Sequence, residues 1–417
     1  MRLRHLVYGD RPIGVSLRPH LLDNAQFSAI ARDAELVAGA LEKVTTLLIQ
    51  NPTRLAELGL TDAEIRLALV ETGLSMAGIT TRLDGFLDGD QIRFVEYNAE
   101  NPSSLSDQEG LNRVLFDLPV MAKFVERYRV QQFSPPQALL DSLLVSYREW
   151  GGTGAPNVAI LDWDNLPTSN EFVLLRNHFG GHGVRTIICS PDNLEYDGRK
   201  LRSGDFEIDL IYKRIIIHEF LSRYDDSHPL IRAYANHHVC VINPFRCKIM
   251  HKKAIFELLT DEAEQQHFSS AETDAISRSV PWTRRLRECH TTRGANRIDL
   301  LDHVRKNRVE LVLKPNDDYG GHGVFLGPRL TGGEWEDAIA KGLAGDYVVQ
   351  EAVDLHLEEF PIFGEGEWQL QPMYVDTNPF LFRGKVCGAM VRLSLSPIVN
   401  VTSGGGETGF FVLDSES

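Results

Sequence analysis

No stretch of the 417-residue chain stays apolar for the eighteen or so residues that a membrane span needs, so no spanning helix is expected. The opening Met1-Arg2-Leu3-Arg4-His5 is not followed by an apolar run of signal-peptide type. Cysteine is scarce: Cys189, Cys240, Cys247, Cys289 and Cys387 form an odd, scattered set without CxxC spacing. Such a set argues against a disulfide framework and a zinc site, and reads as reduced thiols in a cytoplasmic protein. Positive charge is in deficit, with 43 Lys and Arg against 58 Asp and Glu and a net charge of −15. That balance argues against nucleic acid or an anionic membrane as partner and leaves room for a local basic cleft. There is no repeat array and no low-complexity block. His237-His238, His178/His182 and His218/His228 are not spaced as a zinc set and read as scattered polar side chains.

What is present is an ordinary globular composition, 43% hydrophobic and 24% charged, in a chain long enough for two or three domains. Helical periodicity runs from about Leu21 to Ile49, and Thr61-Asp62-Ala63-Glu64 has the form of a capped helix start. Helices are expected from near Asp107 to Phe116 and from Val120 to Tyr128, with a boundary at Ser134-Pro135-Pro136. The next segment reads as βαβ: strand Asn157–Leu161, helix Ser169–Phe179, strand Val184–Cys189. A hairpin at Asn193–Leu201 and a buried strand Asp209–Lys213 follow. The strand Asn157–Leu161 leads into Asp162-Trp163-Asp164-Asn165 and not into a glycine fingerprint, which argues against a dinucleotide-binding oxidoreductase. Residues 245–292 read as helical and charged, and 309–326 as strand, loop, strand. Glu334–Leu343 reads as a helix, Tyr347–Gln350 as a strand, and the tail from Gly366 as strand-rich. The fold class is α/β (α+β), with divisions at 1–134, 135–245 and 246–417.

The densest chemistry lies in Ile79-Thr80-Thr81-Arg82-Leu83-Asp84-Gly85-Phe86, Leu87-Asp88-Gly89-Asp90-Gln91 and Ile92-Arg93-Phe94-Val95-Glu96-Tyr97-Asn98. Two strand-like runs around an Asp-Gly turn signal predict a β-hairpin. Side chains two apart on a strand share a face, so Arg82 lies beside Asp84 and Glu96 beside Asn98. Two carboxylates, an amide oxygen and a guanidinium on one hairpin have the make-up of a Mg²⁺ and phosphate platform. A geometric condition attaches to this reading. A two-residue turn at Asp88-Gly89 sends Glu96 to the opposite face from Asp84. A three-residue loop, Asp88 to Asp90, pairs Arg82 with Glu96. Only an odd loop or a bulge unites the ligands; otherwise the hairpin carries ordinary surface charges.

A second feature is Glu310-Leu311-Val312-Leu313-Lys314-Pro315, a strand ending in lysine. The loop Asn316-Asp317-Asp318-Tyr319-Gly320-Gly321-His322-Gly323 follows, then a returning strand Val324-Phe325-Leu326-Gly327. Glycines let backbone N–H groups approach phosphates, and the lysine supplies charge. The loop is neither GxxxxGK[ST] nor GxGxxG, because position 326 is Leu. Gly180-Gly181-His182-Gly183 repeats the same four letters after a helix and reads as a helix end, so the strand-terminal Lys314 carries the phosphate reading. Further on, Gln350-Glu351-Ala352-Val353 ends a strand in polar groups and free backbone that could meet an adenine edge.

In this order, the three pieces resemble the ATP-grasp ligases, and more narrowly the circularly permuted branch that includes glutathionylspermidine synthase. In that family an Arg-x-Asp strand precedes a Glu-x-Asn strand in a Glu-(Tyr/Leu)-Asn-Ala-Asp-Thr-Pro run, read here as Glu96-Tyr97-Asn98-Ala99-Glu100-Asn101-Pro102. The resemblance implies a circularly permuted ATP-grasp fold with an inserted Rossmann-like pre-ATP-grasp domain at 135–245. The segment 1–134 would then carry the metal hairpin, and 246–417 the nucleotide-binding domain. It assigns Asp84, Glu96 and Asn98 to Mg²⁺ and Arg82 to the transferred phosphate. It assigns Lys248, with Lys253 as competitor, and Lys314 to ATP, together with Gly320, Gly321, Gly323, Gln350, Glu351 and Val353. The closing Arg383–Arg392 and Gly404–Gly409 runs look like the family's final strands. Asp-Thr of the family run is Glu100-Asn101 here, which puts glutathione as substrate in doubt.

The resemblance further implies ATP-dependent C–N bond formation through an acylphosphate, releasing ADP and phosphate. Substrates would be a small-molecule carboxylate and an amine, from amino acids, short peptides or polyamines. Lys213-Arg214 could meet a substrate carboxylate or be a solvated strand end. Asp84→Asn or Arg82→Ala is expected to abolish turnover with little loss of stability. The alternative is an ATP-binding phosphotransferase or a regulatory homologue that makes no amide.

Overall fold

The structure, a computed structural model, describes residues 1, 4–364, 366–401 and 404–414. Arg2 and Leu3 of the opening run lie outside the described residues. Asp23 caps the helix Asn24–Ile49 in a reciprocal capping box with Gln26, and Ala34, Val37, Ala38, Leu41, Val44 and Leu48 make its buried face. The helix starts at Asn24 and not Leu21 because His20–Asp23 is a strand, paired parallel to Phe410–Leu413. Thr61 caps Asp62–Ala68 through a second capping box, with Glu64. The helices Leu105–Phe116 and Pro119–Val125 follow, and the expected boundary at Pro135 is the first turn of the helix Pro135–Trp150.

A four-stranded parallel sheet has the order Cys240–Ile242, Leu210–Lys213, Val158–Leu161, Thr186–Cys189. Every residue of Val158–Leu161 and Leu210–Lys213 is buried, as strands covered on both faces must be. The helix Ser169–Gly181 joins Val158–Leu161 to Thr186–Cys189, and Gly183, at φ +79°, turns the chain after it. The hairpin expected at Asn193–Leu201 gains a third strand, in the order Phe206–Ile208, Leu201–Ser203, Leu194–Tyr196.

A four-stranded antiparallel sheet has the order Thr283–Arg285, Tyr347–Glu351, Leu311–Pro315, Phe325–Leu326. The helices Leu300–Lys306 and Gly332–Ala344 supply Leu300, Val304, Trp335 and Ile339 to its core. The helical reading of 245–292 is therefore corrected in its second half. Pro281 follows the helix Ser270–Ser279, and Thr283–Arg285 and His290–Arg293 are strands.

In a six-stranded sheet, Thr80–Asp88 pairs with Gln91–Asn98 on one side and with Glu367–Phe382 on the other. Lys385–Ser394 and Gly406–Thr408 continue the sheet. The early hairpin is thus built into strands from the end of the chain and faces the lysine strand Leu311–Pro315. No helix among the described residues is long and apolar enough to cross a membrane.

Candidate active site

The hairpin turns at Gly89-Asp90, with Asp88 opposite Gln91 and Gly89 at φ +61°. This is neither of the two loops considered from sequence. Gly85 faces Phe94 while Asp84 faces Glu96, so Val95 is an extra residue and the strand bulges there. The bulge puts Asp84 directly across from Glu96 and Arg82 across from Asn98. Arg82, Asp84, Glu96 and Asn98 line one cavity of about 670 Å³, within the range of small-molecule sites.

Arg82 grips Asp84 with both sides of its fork, Nε to Oδ1 at 2.6 Å and Nη2 to Oδ2 at 3.1 Å. Arg392 Nη2 donates to Asp84 Oδ2 at 2.8 Å and Arg392 Nε to Asp376 Oδ2 at 2.8 Å. Asn378 Nδ2 donates to the other oxygen of Asp376 at 2.7 Å, and Asn378 Oδ1 accepts from the Gly85 N–H at 3.1 Å. Burial opposes ionisation of Asp84, but Arg82 and Arg392 outweigh it and hold its carboxyl at about 2. Asp376 goes the other way: burial raises it against the pull of Arg392. Asn98 Nδ2 is buried with no hydrogen-bond partner among the described residues.

Lys314 Nζ donates to Gln350 Oε1 at 2.7 Å and to the carbonyl of the bulged Val95 at 3.3 Å. Burial pulls its ammonium down to about 8, against the carboxylate of Glu96 and helped by the charge of Lys253. Lys253 Nζ lies 3.3 Å from Glu96 Oε1 and donates to the Asp318 carbonyl at 2.7 Å. Glu351 is held by Arg93 at 3.1 Å and Arg293 at 3.0 Å. Val353, just past the strand, also lines the cavity.

Gly320 and Gly321 line the cavity, at φ +73° and +75°. Gly323 is not on the wall and has a backbone role instead. Its φ is +68°, and a Cβ there would sit 2.8 Å from Tyr347 Oη and 2.9 Å from Pro315 Cγ. Gly323→Ala is therefore expected to cost about 1–2 kcal/mol for the left-handed backbone alone, read as a shift in the urea unfolding midpoint. An unchanged midpoint would show the loop to be free of this constraint.

Lys248 lies away from the cavity. Its Nζ is fully buried, 2.6 Å from Glu100 Oε1 and 2.6 Å from Asp317 Oδ1. Lys252 reaches Asp317 Oδ2 at 2.7 Å, and Glu100 Oε2 accepts from the Ile217 N–H at 2.7 Å. Burial opposes the charges, but Lys248 holds Glu100 at about 2 and the two lysines with His218 hold Asp317 low. Glu100, His251 and Asp317 have the spacing of a metal cluster, but the cation among them is the Lys248 ammonium. Lys248 ties the base of the glycine loop to the end of the hairpin, while Lys253, and not Lys248, is on the cavity wall.

No protein-family model matches the chain. Over 128 residues, 28% of its length, it is 31% identical to uncharacterized proteins of Mycobacterium tuberculosis and Mycobacterium bovis, covering 22% of each. Over 283 residues, 64% of the chain, it is 24% identical to a putative glutamate–cysteine ligase of Frankia casuarinae, covering 31% of that protein. The chain thus spans a fifth to a third of the length of these curated relatives. Among solved structures it resembles a glutathione synthetase-like effector of Globodera pallida in its apo form. The TM-score is 0.61 at 13% identity, over 99% of this chain and 94% of that one. The mixed α/β fold is shared with that glutathione synthetase-like protein.

The cavity wall also includes residues that the sequence reading gave no role: Lys253 beyond its place as competitor, Asp376, Arg392, Asp107 and Glu407. Asp376-Thr377-Asn378 did carry a signal, a polar pair two apart on a strand like those of the hairpin.

Proposed function

We propose that the chain is an ATP-dependent carboxylate–amine ligase that works through an acylphosphate and releases ADP and phosphate. The observation that carries this reading is the bulged hairpin docked on Lys314, which gathers Arg82, Asp84, Glu96, Asn98, Lys253 and Lys314 on one cavity. The circularly permuted ATP-grasp architecture with an inserted α/β domain, the narrower glutathionylspermidine synthase-like kinship and the division at 134 and 245 belong to this proposal. Names of relatives support it: one is a putative glutamate–cysteine ligase, another a glutathione synthetase-like effector.

The donor set suits Mg²⁺. Asp84 and Glu96 offer hard carboxylate oxygens, and Asn98 has a buried amide whose nitrogen has no partner among the described residues, leaving its orientation to be set by a ligand. Bound ATP would supply the transferable phosphoryl group and Mg²⁺ would neutralise its charge. Lys314 and Lys253 would hold phosphate oxygens as point charges, and Gln350, Glu351 and Val353 would edge the base. Arg82 and Arg392 are locked in place by Asp84 and Asp376, so their positive charge would stand preorganised beside the transferring phosphoryl group. Gly320 and Gly321 would let the loop close over the phosphates and exclude water.

The test is ADP release against a panel of amino acids, short peptides and polyamines, with product masses read in parallel. The expected product weighs the sum of carboxylate and amine less one water, formed one for one with ADP. A phosphorylated substrate as the only product would replace ligation with phosphotransfer. No ADP from any member would point to the regulatory alternative.

A further inference from the structure

The hairpin and the lysines leave a second stretch of the cavity wall without a task. Glu407, Asp107, Ser104, Asp162 and Arg214 line it, and all are buried. Glu407 Oε1 accepts from Ser104 Oγ at 2.6 Å, but its Oε2 has no hydrogen-bond partner among the described residues. Asp107 Oδ1 has none either. Buried carboxyl oxygens are normally satisfied, and two open acceptors on one cavity wall point to a donor that arrives with a ligand. Burial holds Glu407 up at about 7, against Ser104, Arg392 and Arg82. Burial also raises Asp107, as do the neighbouring Glu171 and Glu407. Neither carboxyl forms a direct ion pair among the described residues, although Arg392 and Arg82 stand near Glu407 and Arg214 near Asp107.

Arg214, on the same stretch of wall, forms no ion pair with either carboxyl among the described residues. Its Nη1 donates to the Pro102 carbonyl and to Tyr212 Oη at 3.3 Å, and its Nη2 lies 3.6 Å from Glu171 Oε2. Its Nε is buried without a hydrogen-bond partner among the described residues. Glu407 and Asp107 leave open carboxyl oxygens on this stretch of wall, and a donor is what it asks for. Its place is equally informative. Glu407 pairs with Arg392 across neighbouring strands, and Arg392 reaches Asp84. Cross-strand partners lie about 5 Å apart, so Glu407 borders the guanidinium pair.

We propose that Glu407 and Asp107 form the amine subsite, receiving the N–H groups of an acceptor that is an alkylammonium ion in solution, beside Arg82 and Arg392. The assignment rests on the ligase reading, whose activated carboxylate would be held by those arginines.

The probe is propylammonium chloride, titrated calorimetrically with and without magnesium and a non-hydrolysable ATP analogue. Propionate and propionamide serve as size-matched controls. Propylammonium is expected to bind the wild-type chain, and at least tenfold more weakly in Glu407→Gln and in Asp107→Asn, with analogue affinity held within twofold. Propyltrimethylammonium, which has the charge but no N–H, is expected to bind wild type at least tenfold more weakly, a comparison that needs no variant to fold. No binding of propylammonium, equal binding of the trimethyl compound or of propionate, or undiminished binding in both variants would overturn the subsite. Failure of the analogue to bind wild type would instead strike the ligase reading and leave the amine titration readable by itself.

Discussion

Asp84→Asn is expected to lower ligase turnover on the order of 10³-fold, the scale of losing charge stabilisation at a transferring phosphoryl group. It is also expected to destabilise the fold by about 3 kcal/mol, in place of the little stability change expected from the sequence. The reason is the network around the carboxylate. Asp84 is the shared counter-charge of Arg82 and Arg392, and all three side chains are largely buried, at 8%, 7% and 12% exposure. Removing one partner from a buried pair leaves the other charge uncompensated, whereas an exposed pair would cost little. The pH dependence has a definite sign. The carboxyl is lowered from 3.8 to about 2, so its contribution is fully present above 3.8 and is lost as pH falls through about 2. That shift is worth about 2 kcal/mol. Urea unfolding from pH 5 to pH 2 should show this slope in the wild type and a weaker one in the variant, whose amide does not titrate. Near-normal ligation by Asp84→Asn would remove the metal assignment. Unchanged stability would remove the arginine network.

The hairpin was legible because its chemistry is local: polar residues two apart must share a strand face. The bulge was legible in part. Apolar residues alternate at Ile92 and Phe94 and then skip to Tyr97, all three buried, and that lost beat in the pattern marks the extra residue. The acidic partners of Arg392 were not legible. Asp376 meets it across an antiparallel strand pair 16 positions on, and Asp84, 308 positions away, through the pairing of Thr80–Asp88 with Glu367–Phe382, which no local period records. The βαβ segment was readable from continuous apolar runs, whereas Thr283–Arg285 was not, since it becomes a strand through pairing with Tyr347–Glu351. The same limit explains the lysines. Lys248 and Lys253 are both basic residues near short helix starts, and only the folded chain shows which of them faces carboxylates of its own and which faces the cavity.

Lys248→Met and Lys253→Met should therefore fail in opposite ways. Lys248 sits at 0% exposure between Glu100, also at 0%, and Asp317, at 15%. A methionine there fills similar space but leaves Glu100 without the cation that keeps it charged, and leaves Asp317 to Lys252 and His218. The expected cost is about 3–5 kcal/mol in urea unfolding. Glu100→Gln should be costly too, and the double variant should cost at least about 2 kcal/mol less than the sum of the singles, because the second change removes the charge that the first stranded. Lys253 pairs with Glu96, which is 23% exposed and can be solvated when the lysine is gone. Lys253→Met should keep stability within about 1 kcal/mol and weaken ATP binding by about 10- to 100-fold, the worth of one charged hydrogen bond to phosphate. The comparison is direct because Asp317 anchors the glycine loop whichever lysine meets the nucleotide: a structural Lys248 changes unfolding first, a nucleotide-binding Lys248 changes affinity first. If Lys248→Met loses ATP affinity at unchanged stability while Lys253→Met loses neither, the nucleotide contact returns to Lys248 and the cavity geometry around Lys253 must be redrawn.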